Sequence, residues 1–211
     1  MNRTILFSAL AAFALSTFGG QSPLAYSRPE NGRAPGTRSP LPDKVVVERV
    51  LDGDTVVVRG IKERVRLANI DAPEMSHGYG KPGQPFSVQA ARWMERKVQG
   101  KAVTLRCPEQ DRYGRWICDL FLDGEYVNKE LVRAGLAWAN TANRRYLRDE
   151  SVLEAQREAQ HGHRGLWEQR RPTAPWLWRQ ECWLGRACAG AASLQAPSAR
   201  GPFALVHKMH E

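Results

Sequence analysis

The chain is poor in acidic residues, in cysteines and in apolar runs beyond its N-terminal segment. It has 22 Asp and Glu against 31 Lys and Arg, so its formal net charge is +9. Such a charge favours an anionic partner, such as nucleic acid, an anionic membrane surface or an acidic polymer, or it gives only a solvated basic surface. The hydrophobic share of 42% is sufficient for the core of one ordinary domain.

None of the four cysteines forms a CxxC pair, which argues against a zinc site. Cys107 and Cys118 flank the hairpin-like stretch CPEQDRYGRWIC. Symmetric strand pairing would place them opposite each other, as it would the leucines two residues away on each strand. Cys182 and Cys188 could close the short loop CWLGRAC. Each pair is therefore either a disulfide, which export would permit, or two buried free thiols.

Beyond residues 1–27, no apolar run reaches the length of about 20 residues that a membrane helix needs. Within that segment, Arg3 precedes the apolar stretch ILFSALAAFAL, and small residues follow in STFGGQSPLAYS. This pattern is typical of a cleaved signal peptide, with an uncleaved anchor as the alternative. We therefore expect a secreted or periplasmic protein without a membrane span after cleavage.

The rest of the chain divides into three parts. Residues 28–43 are rich in Pro, Gly and Arg and are predicted to be a flexible linker. Residues 44–168 form the predicted folded domain, and residues 169–211 form a tail with tryptophans and cysteines. Within the domain, five strands with a helix after the third predict an α+β fold, a five-stranded OB-fold β-barrel with three helices.

Apolar patterning places the individual elements. Strands are predicted at 44–51, 54–60, 63–70, 101–107 and 116–124. Helices are predicted at 86–100, 125–135 and 144–162. Gly100 and Gly135 suit the ends of the first two helices.

Carboxylates cluster at the ends of valine-rich strands although the chain is basic. Asp52 and Asp54 lie in VLDGDTVVV, and Asp71 and Glu74 lie in LANIDAPE. Each stretch alone reads as an ordinary turn. Strand ends at one rim of a small barrel can nevertheless bring Asp54 and Asp71 together, where they repel unless they are protonated or bridged by a cation. Oxygen ligands favour Ca²⁺ or Mg²⁺ over zinc.

Two arginines are candidates to bind an anion beside that cation. Arg66 interrupts the apolar strand VRL, and Arg115 follows Gly114 in DRYGR, a stretch that alone is a polar loop. The planar guanidinium fork matches phosphate oxygens. Carboxylates, a metal ion and two arginines together suit phosphodiester hydrolysis, because the ion polarises a phosphoryl oxygen and the arginines offset charge in the transition state.

Several motifs occur in the order found in the thermonuclease (staphylococcal nuclease) family, which the chain resembles over roughly residues 44–168. They are DGDTV at 52–56, VRLANIDAPE at 65–74, DRYGR at 111–115, VNKELVRAGLAW at 127–138 and RGLW at 164–167. The resemblance implies an OB barrel with three helices. It also implies Ca²⁺-dependent hydrolysis of DNA and RNA that leaves 3′-phosphate ends.

The resemblance further implies a metal site. Asp54 and Asp71 would be the side-chain ligands of one Ca²⁺ ion, for which Mg²⁺ or Mn²⁺ is an alternative. Ala72 would supply a backbone carbonyl at a position where threonine is common in the family. Asp52 would lie behind these ligands.

The remaining matches concern catalysis and substrate. Glu74 matches the glutamate proposed as general base or water orienter, and Arg66 and Arg115 match the phosphate-binding arginines. Tyr113, with Arg112 beside it, matches a position that contacts the nucleotide phosphate.

One part of the family pattern is missing. The stretch ANTANRRY lacks the tyrosines that hold the base in the family prototype, and Tyr146 comes slightly later. Because stacking contributes about 1–3 kcal/mol per base, substrate preference is expected to differ. Lys81, in the Gly- and Pro-rich loop at 75–85, is a candidate contact to the nucleic-acid backbone or a solvated lysine.

These features predict a monomeric, exported, Ca²⁺-dependent nuclease of low sequence specificity that acts on DNA, RNA or both. One alternative is a non-catalytic nucleic-acid-binding OB module, which needs a basic and aromatic surface but not the carboxylates together with both arginines. Another is an envelope interaction protein that uses the basic linker and tail.

Overall fold

The structure, a computed structural model, describes residues 41–188 of the 211-residue chain. The predicted signal segment at 1–27, residues 28–40 of the predicted linker and the end of the tail lie outside the described residues. Within residues 41–188, no helix combines the length and the apolar character needed to cross a bilayer.

The described residues form eight strands and four α-helices. In chain order the strands are β1 (Lys44–Val50), β2 (Thr55–Val58), β3 (Val65–Leu67), β4 (Ile70–Asp71), β5 (Ala102–Gln110), β6 (Trp116–Leu122), β7 (Glu125–Tyr126) and β8 (Trp138–Ala139). The helices are α1 (Ser87–Val98), α2 (Val127–Arg133), α3 (Ser151–His161) and α4 (Pro175–Trp178). Two 3₁₀ turns (Arg144–Tyr146 and Gly165–Glu168) and a π-helical turn (Arg179–Leu184) complete them.

Five of the strands close into a mixed barrel. They pair in the order β3-β2-β1-β5-β6, with antiparallel neighbours. A parallel pairing of β3 with β6 closes the sheet. The predicted five-stranded α+β barrel is therefore confirmed, and α4 adds a helix from the region assigned to the tail.

Alternating apolar side chains of β5 and β6 fill the barrel. Leu105 pairs with Leu120, as the symmetric hairpin register predicts. Two residues nearer the hairpin turn on each strand, Cys107 and Cys118 form a disulfide that is almost completely buried. The cross-link therefore joins neighbouring strands inside the core, where it reinforces the hairpin.

The third strand is shorter than predicted, because the chain turns at Asn69. A single strand was expected at 63–70, but β3 ends at Leu67 and β4 pairs with β8 in a separate two-stranded sheet. Asn69 has a φ of 66°, a left-handed conformation that asparagine tolerates better than most residues. This turn redirects the chain and fixes where Asp71 lies.

The prediction of a helix from residue 144 is wrong, because α3 begins only at Ser151. The Asn69 side-chain oxygen accepts the backbone N–H groups of Arg148 and Asp149, at 2.6 and 3.0 Å. The Asp149 carboxylate in turn accepts the N–H of Ser151 at 2.9 Å. These bonds hold Arg148 and Asp149 outside the helix, and the Asp149 carboxylate binds the N–H of its first residue.

The family-like stretches VNKELVRAGLAW and RGLW meet through two glycines. The N–H of Leu166 donates to the carbonyl of Gly135 at 2.8 Å. Gly135 and Gly165 have φ values of 70° and 54°, and a Cβ on either would strike the backbone of the other stretch. Glycine is therefore required on both sides of this contact.

We predict that replacing Cys107 and Cys118 together by alanine lowers the free energy of unfolding by about 2–4 kcal/mol, because the cross-link no longer restricts the unfolded chain. Denaturant unfolding of oxidised wild type and variant measures the change. Reductant also breaks the Cys182–Cys188 bridge, so wild type and variant are compared again in reductant, where the difference between them should shrink. Equal stability of the two oxidised proteins would contradict a structural role for the bridge.

Candidate active site

The turn between β1 and β2 carries Asp54 and packs its Gly53 against Ala72 and against Ala90 of α1. The carboxylate of Asp52 accepts the N–H of Asp54 at 2.9 Å and shapes the turn. A Cβ on Gly53 would lie 2.6 Å from the Cβ of Ala72 and 2.8 Å from that of Ala90. The motif therefore needs glycine at its centre so that the turn can pack this closely.

Asp71, at the end of β4, reaches the same place from another turn. The N–H of Ala72 donates to Asp54 Oδ2 at 2.8 Å, and the hydroxyl of Thr55 donates to Asp54 Oδ1 at 3.1 Å. Both Asp54 and Asp71 are buried. The two chain turns are thus bonded directly to each other.

Arg66, from β3, joins the two carboxylates. Its Nη1 forms an ion pair with Asp54 Oδ2, and its Nη2 donates to Asp71 Oδ1 at 2.7 Å. The side chains of Arg66, Asp54 and Asp71 are only 13%, 9% and 2% exposed. The structure therefore brings three of the sequence-predicted residues together in one largely water-excluded group.

Burial and these contacts shift the pKa values of Asp52 and Asp54 in opposite directions. Burial, followed by the charge of Asp54, raises the pKa of Asp52 to about 7. Burial also tends to raise the pKa of Asp54, but Arg66 and the N–H of Ala72 outweigh it and lower that pKa below its usual value. Asp54 is therefore ionised at neutral pH, and Asp52 is the weaker acid of the two.

Glu74 has its main partner near the end of the described chain. Arg179, in the π-helical turn, forms an ion pair with Glu74 Oε1 through its Nη1. The same guanidinium binds Asp71, with Nη2 at 2.7 Å from Oδ2 and Nη1 at 3.3 Å from Oδ1. Burial raises the pKa of Glu74, and Arg179 acts in the opposite direction.

Sequence reasoning missed Arg179. It lies in PWLWRQECW, where tryptophan and cysteine are the conspicuous residue types. No spacing links it to the carboxylates, which precede it by more than a hundred residues. The one available signal was that Arg179 lies among tryptophans and just before two cysteines. Such a segment can pack against the domain and fix the position of an arginine side chain.

Arg115 lies in the β5–β6 hairpin with a different carboxylate partner, Asp111. Its Nε and Nη2 both lie 2.8 Å from Asp111 Oδ2. Tyr113 is exposed, and Arg112 lies 4.8 Å from its ring centre while donating to its hydroxyl at 2.7 Å. These residues form an accessible group on the hairpin, separate from the ion pairs around Arg66.

An open surface cavity of about 340 Å³ lies beside this hairpin. Three basic residues and one acidic residue give its lining a net positive charge; the lining consists of Lys62, Glu63, Arg64, Tyr113, Gly114 and Arg115. Because β3 and β6 pair with Val65 opposite Trp116, the lining residues continue directly into the strand that carries Arg66.

Lys81 contacts the C-terminal region. Its ammonium lies 5.7 Å from the ring centre of Trp183, and the ring of His77 meets the same tryptophan edge-on at 5.2 Å. The His77 Nε2 lies 4.0 Å from Glu74 Oε2. The loop at 75–85 therefore packs against the C-terminal residues beside Glu74, and a contact of Lys81 with nucleic acid stays a prediction.

Residues 64–169, half of the chain, match the family described as staphylococcal nuclease homologue. The chain belongs to the staphylococcal nuclease family. An uncharacterized endonuclease of Escherichia coli O157:H7 is 41% identical over 140 residues, covering 63% of this chain and 82% of that protein. An uncharacterized endonuclease of Haemophilus influenzae is 34% identical over 138 residues, covering 64% and 72%.

A plant relative is covered over a smaller share of its own length. A probable staphylococcal-like nuclease of Oryza sativa subsp. japonica is 36% identical over 129 residues, which cover 61% of this chain and 35% of that protein. Membership of the staphylococcal nuclease family supports a nuclease function, with nucleic acid as the substrate.

The carboxylate cluster fits the hard divalent cation expected for this family. It combines four carboxyl groups, those of Asp52, Asp54, Asp71 and Glu74, with the two guanidinium groups of Arg66 and Arg179. Its acceptors are all oxygen atoms, which suit Ca²⁺. No group of three or more His, Cys, Asp or Glu within residues 41–188 is arranged to hold a metal by itself. Carbonyl groups and water would therefore supply the other ligands.

We predict that Arg66→Ala lowers the free energy of unfolding by about 3–5 kcal/mol at neutral pH, because it removes the ion pair of buried Asp54 and leaves buried Asp71 with Arg179 alone. Arg64→Ala removes the same charge from an exposed position just before β3 and serves as the control. Chemical denaturation of both variants in chelator measures the difference. Equal small losses in both would contradict the structural importance of the buried ion pairs.

Proposed function

We propose that this protein is an exported, Ca²⁺-dependent nuclease that hydrolyses phosphodiester bonds in DNA and RNA with low sequence specificity and leaves 3′-phosphate ends. The observation that carries the proposal is the convergence of Asp54 and Asp71 on Arg66, with Glu74 joined to the same group through Arg179. A nucleic-acid-binding surface alone would not need buried carboxylates around one arginine.

Asp54 and Asp71 would hold the cation, together with the carbonyl of Ala72. When bound, Ca²⁺ would polarise a phosphoryl oxygen of the substrate. Asp54 is ready for this role because its lowered pKa keeps it ionised. The hydroxyl that a threonine would provide at position 72 is absent, so only backbone atoms can contribute there.

Glu74 would accept a proton from the attacking water. Its pKa is raised, which moves it toward the neutral range in which a general base works best. The water oxygen bonds to phosphorus as the bond from phosphorus to the 5′-oxygen breaks. The phosphate stays on the 3′-oxygen, and solvent returns a proton to the leaving oxygen.

Arg66 and Arg115 would stabilise the charge that develops on the phosphoryl group. Arg66 has little freedom to move, because Asp54 and Asp71 fix its guanidinium. Arg115 lies on the accessible hairpin, where the basic cavity gives the backbone of a nucleic acid a place to bind. Electrostatic stabilisation is the appropriate role, since arginine is too weak an acid to donate a proton.

We predict that the purified protein degrades both DNA and RNA in Ca²⁺ and stops in chelator. Glu74→Gln and Arg115→Ala should each reduce turnover by about 10²–10³-fold without loss of fold, since each removes a preorganised group of the transition state. End-group analysis should find phosphate on the 3′ side. Wild-type rates in both variants would contradict the assigned roles.

A non-catalytic OB module gives a different result in the same experiment. It would bind nucleic acid in a salt-dependent manner and leave the strands intact under every metal condition. The proposed export is tested separately by cell fractionation and by the mass of the mature N-terminus. A full-length protein confined to the cytoplasm would contradict it.

A further inference from the structure

We infer that Arg179 is a positioning residue of the nucleolytic site, supplied by a C-terminal cap that we define as residues 172–188. It holds the carboxylate of Glu74 in place against Asp71. The inference rests on the proposed nuclease function and adds a residue outside residues 64–169, the segment that matches the family.

The guanidinium of Arg179 spans two carboxylates at once. It binds both oxygens of Asp71 and one oxygen of Glu74. A planar fork with fixed donor directions imposes a defined geometry on such partners, which a lysine ammonium does not. Arg179 therefore sets the position of the Glu74 carboxylate relative to the buried end of β4.

The negative charge of Asp71 does not by itself require Arg179. Arg66 already donates to Asp71 Oδ1, and it is much less exposed than Arg179, at 13% against 37%. Among the described residues, Arg179 forms the ion pair with Glu74, and the His77 ring nitrogen lies farther away, at 4.0 Å. What Arg179 adds to the cluster is thus a partner that fixes the position of the Glu74 carboxylate.

The cap is docked firmly enough to position a side chain. The indole N–H groups of Trp178 and Trp183 both donate to the carbonyl of Pro82, at 3.3 and 3.0 Å. Trp178 is buried. A disulfide between Cys182 and Cys188 closes the segment immediately after Arg179. These contacts fix the π-helical turn on the loop at 75–85.

One side chain links the cap to the backbone of Glu74. The amide oxygen of Gln84 accepts the N–H of Glu74 at 3.2 Å, and its amide nitrogen donates to the carbonyl of Thr173 at 2.5 Å. Gln84 is itself buried. The cap therefore holds Glu74 twice, at the backbone through Gln84 and at the carboxylate through Arg179.

These contacts leave the carboxylates able to act. Two oxygens of a carboxylate offer about four acceptor positions, and Arg179 fills only some of those on Asp71 and Glu74. Glu74 keeps a second oxygen that faces His77 at 4.0 Å rather than Arg179. An arginine in this arrangement orients the base without consuming all of its lone pairs.

The kinetic test compares Arg179→Ala with Arg170→Ala in the full chain, on a DNA substrate in Ca²⁺. Arg170 is an exposed arginine of the C-terminal region, so its variant removes the same charge. We expect Arg179→Ala to lower kcat by about 10- to 100-fold with little change in KM, because the base is misplaced. Arg170→Ala should behave as wild type. Free guanidinium should restore part of the lost kcat, and Arg179→Lys should restore less than full activity.

Other results would overturn the inference. Wild-type kcat in Arg179→Ala would show that Glu74 needs no such partner, and a raised kcat would show that the cap obstructs the site. If wild type degrades nucleic acid and Arg179→Ala does so equally well, only this inference fails. If wild type itself is inactive under every condition, the proposed function fails instead.

A second test needs no metal and no activity. Glu74→Ala, Arg179→Ala and the double variant are unfolded in denaturant with chelator, and the shifts of the midpoint are compared. Direct contact predicts that the double variant loses less than the sum of the single losses, because the pair is removed only once. Additive losses would overturn the proposed contact. Circular dichroism confirms that each variant is folded before it is measured.

Discussion

The buried group of Arg66, Asp54 and Asp71 determines how the rest of this protein is arranged. A charge removed from water is costly unless an opposite charge and hydrogen bonds replace the lost solvation, so each of these side chains requires the others. They come from β3, from the turn after β1 and from the end of β4. The ion pairs therefore join three separate segments of the barrel. Gly53 is needed because the turn that carries Asp54 packs closely against Ala72, next to Asp71.

The site also extends beyond the part of the chain that defines the family. The matched segment ends at residue 169, yet the cap contributes a guanidinium to Asp71 and Glu74 and a carbonyl to Gln84. The contacts of this cluster therefore continue past the end of the segment that matches the family. In this protein, the disulfide-closed cap adds specific polar contacts to a barrel that is already closed.

The sequence was informative where the structure depends on local pattern. Symmetric pairing of β5 with β6 predicted the hairpin register, and the position of Asp54 and Asp71 at strand ends of a small barrel predicted that they meet. It was not informative where one long-range contact overrides a local preference. Asn69 ends a strand and delays α3 by bonding to residues far along the chain, and Arg179 joins the cluster only through tertiary packing. Neither leaves a periodic signal.

The most direct test of the carboxylate site is calorimetric titration of the purified protein with Ca²⁺. We predict that wild type binds a single ion and that Asp71→Asn loses this binding while it remains folded by circular dichroism. Asp123→Asn, an exposed change between β6 and β7, should bind as wild type does. Identical stoichiometry and affinity in wild type and Asp71→Asn would contradict the assignment of the cation to the two carboxylates that share Arg66.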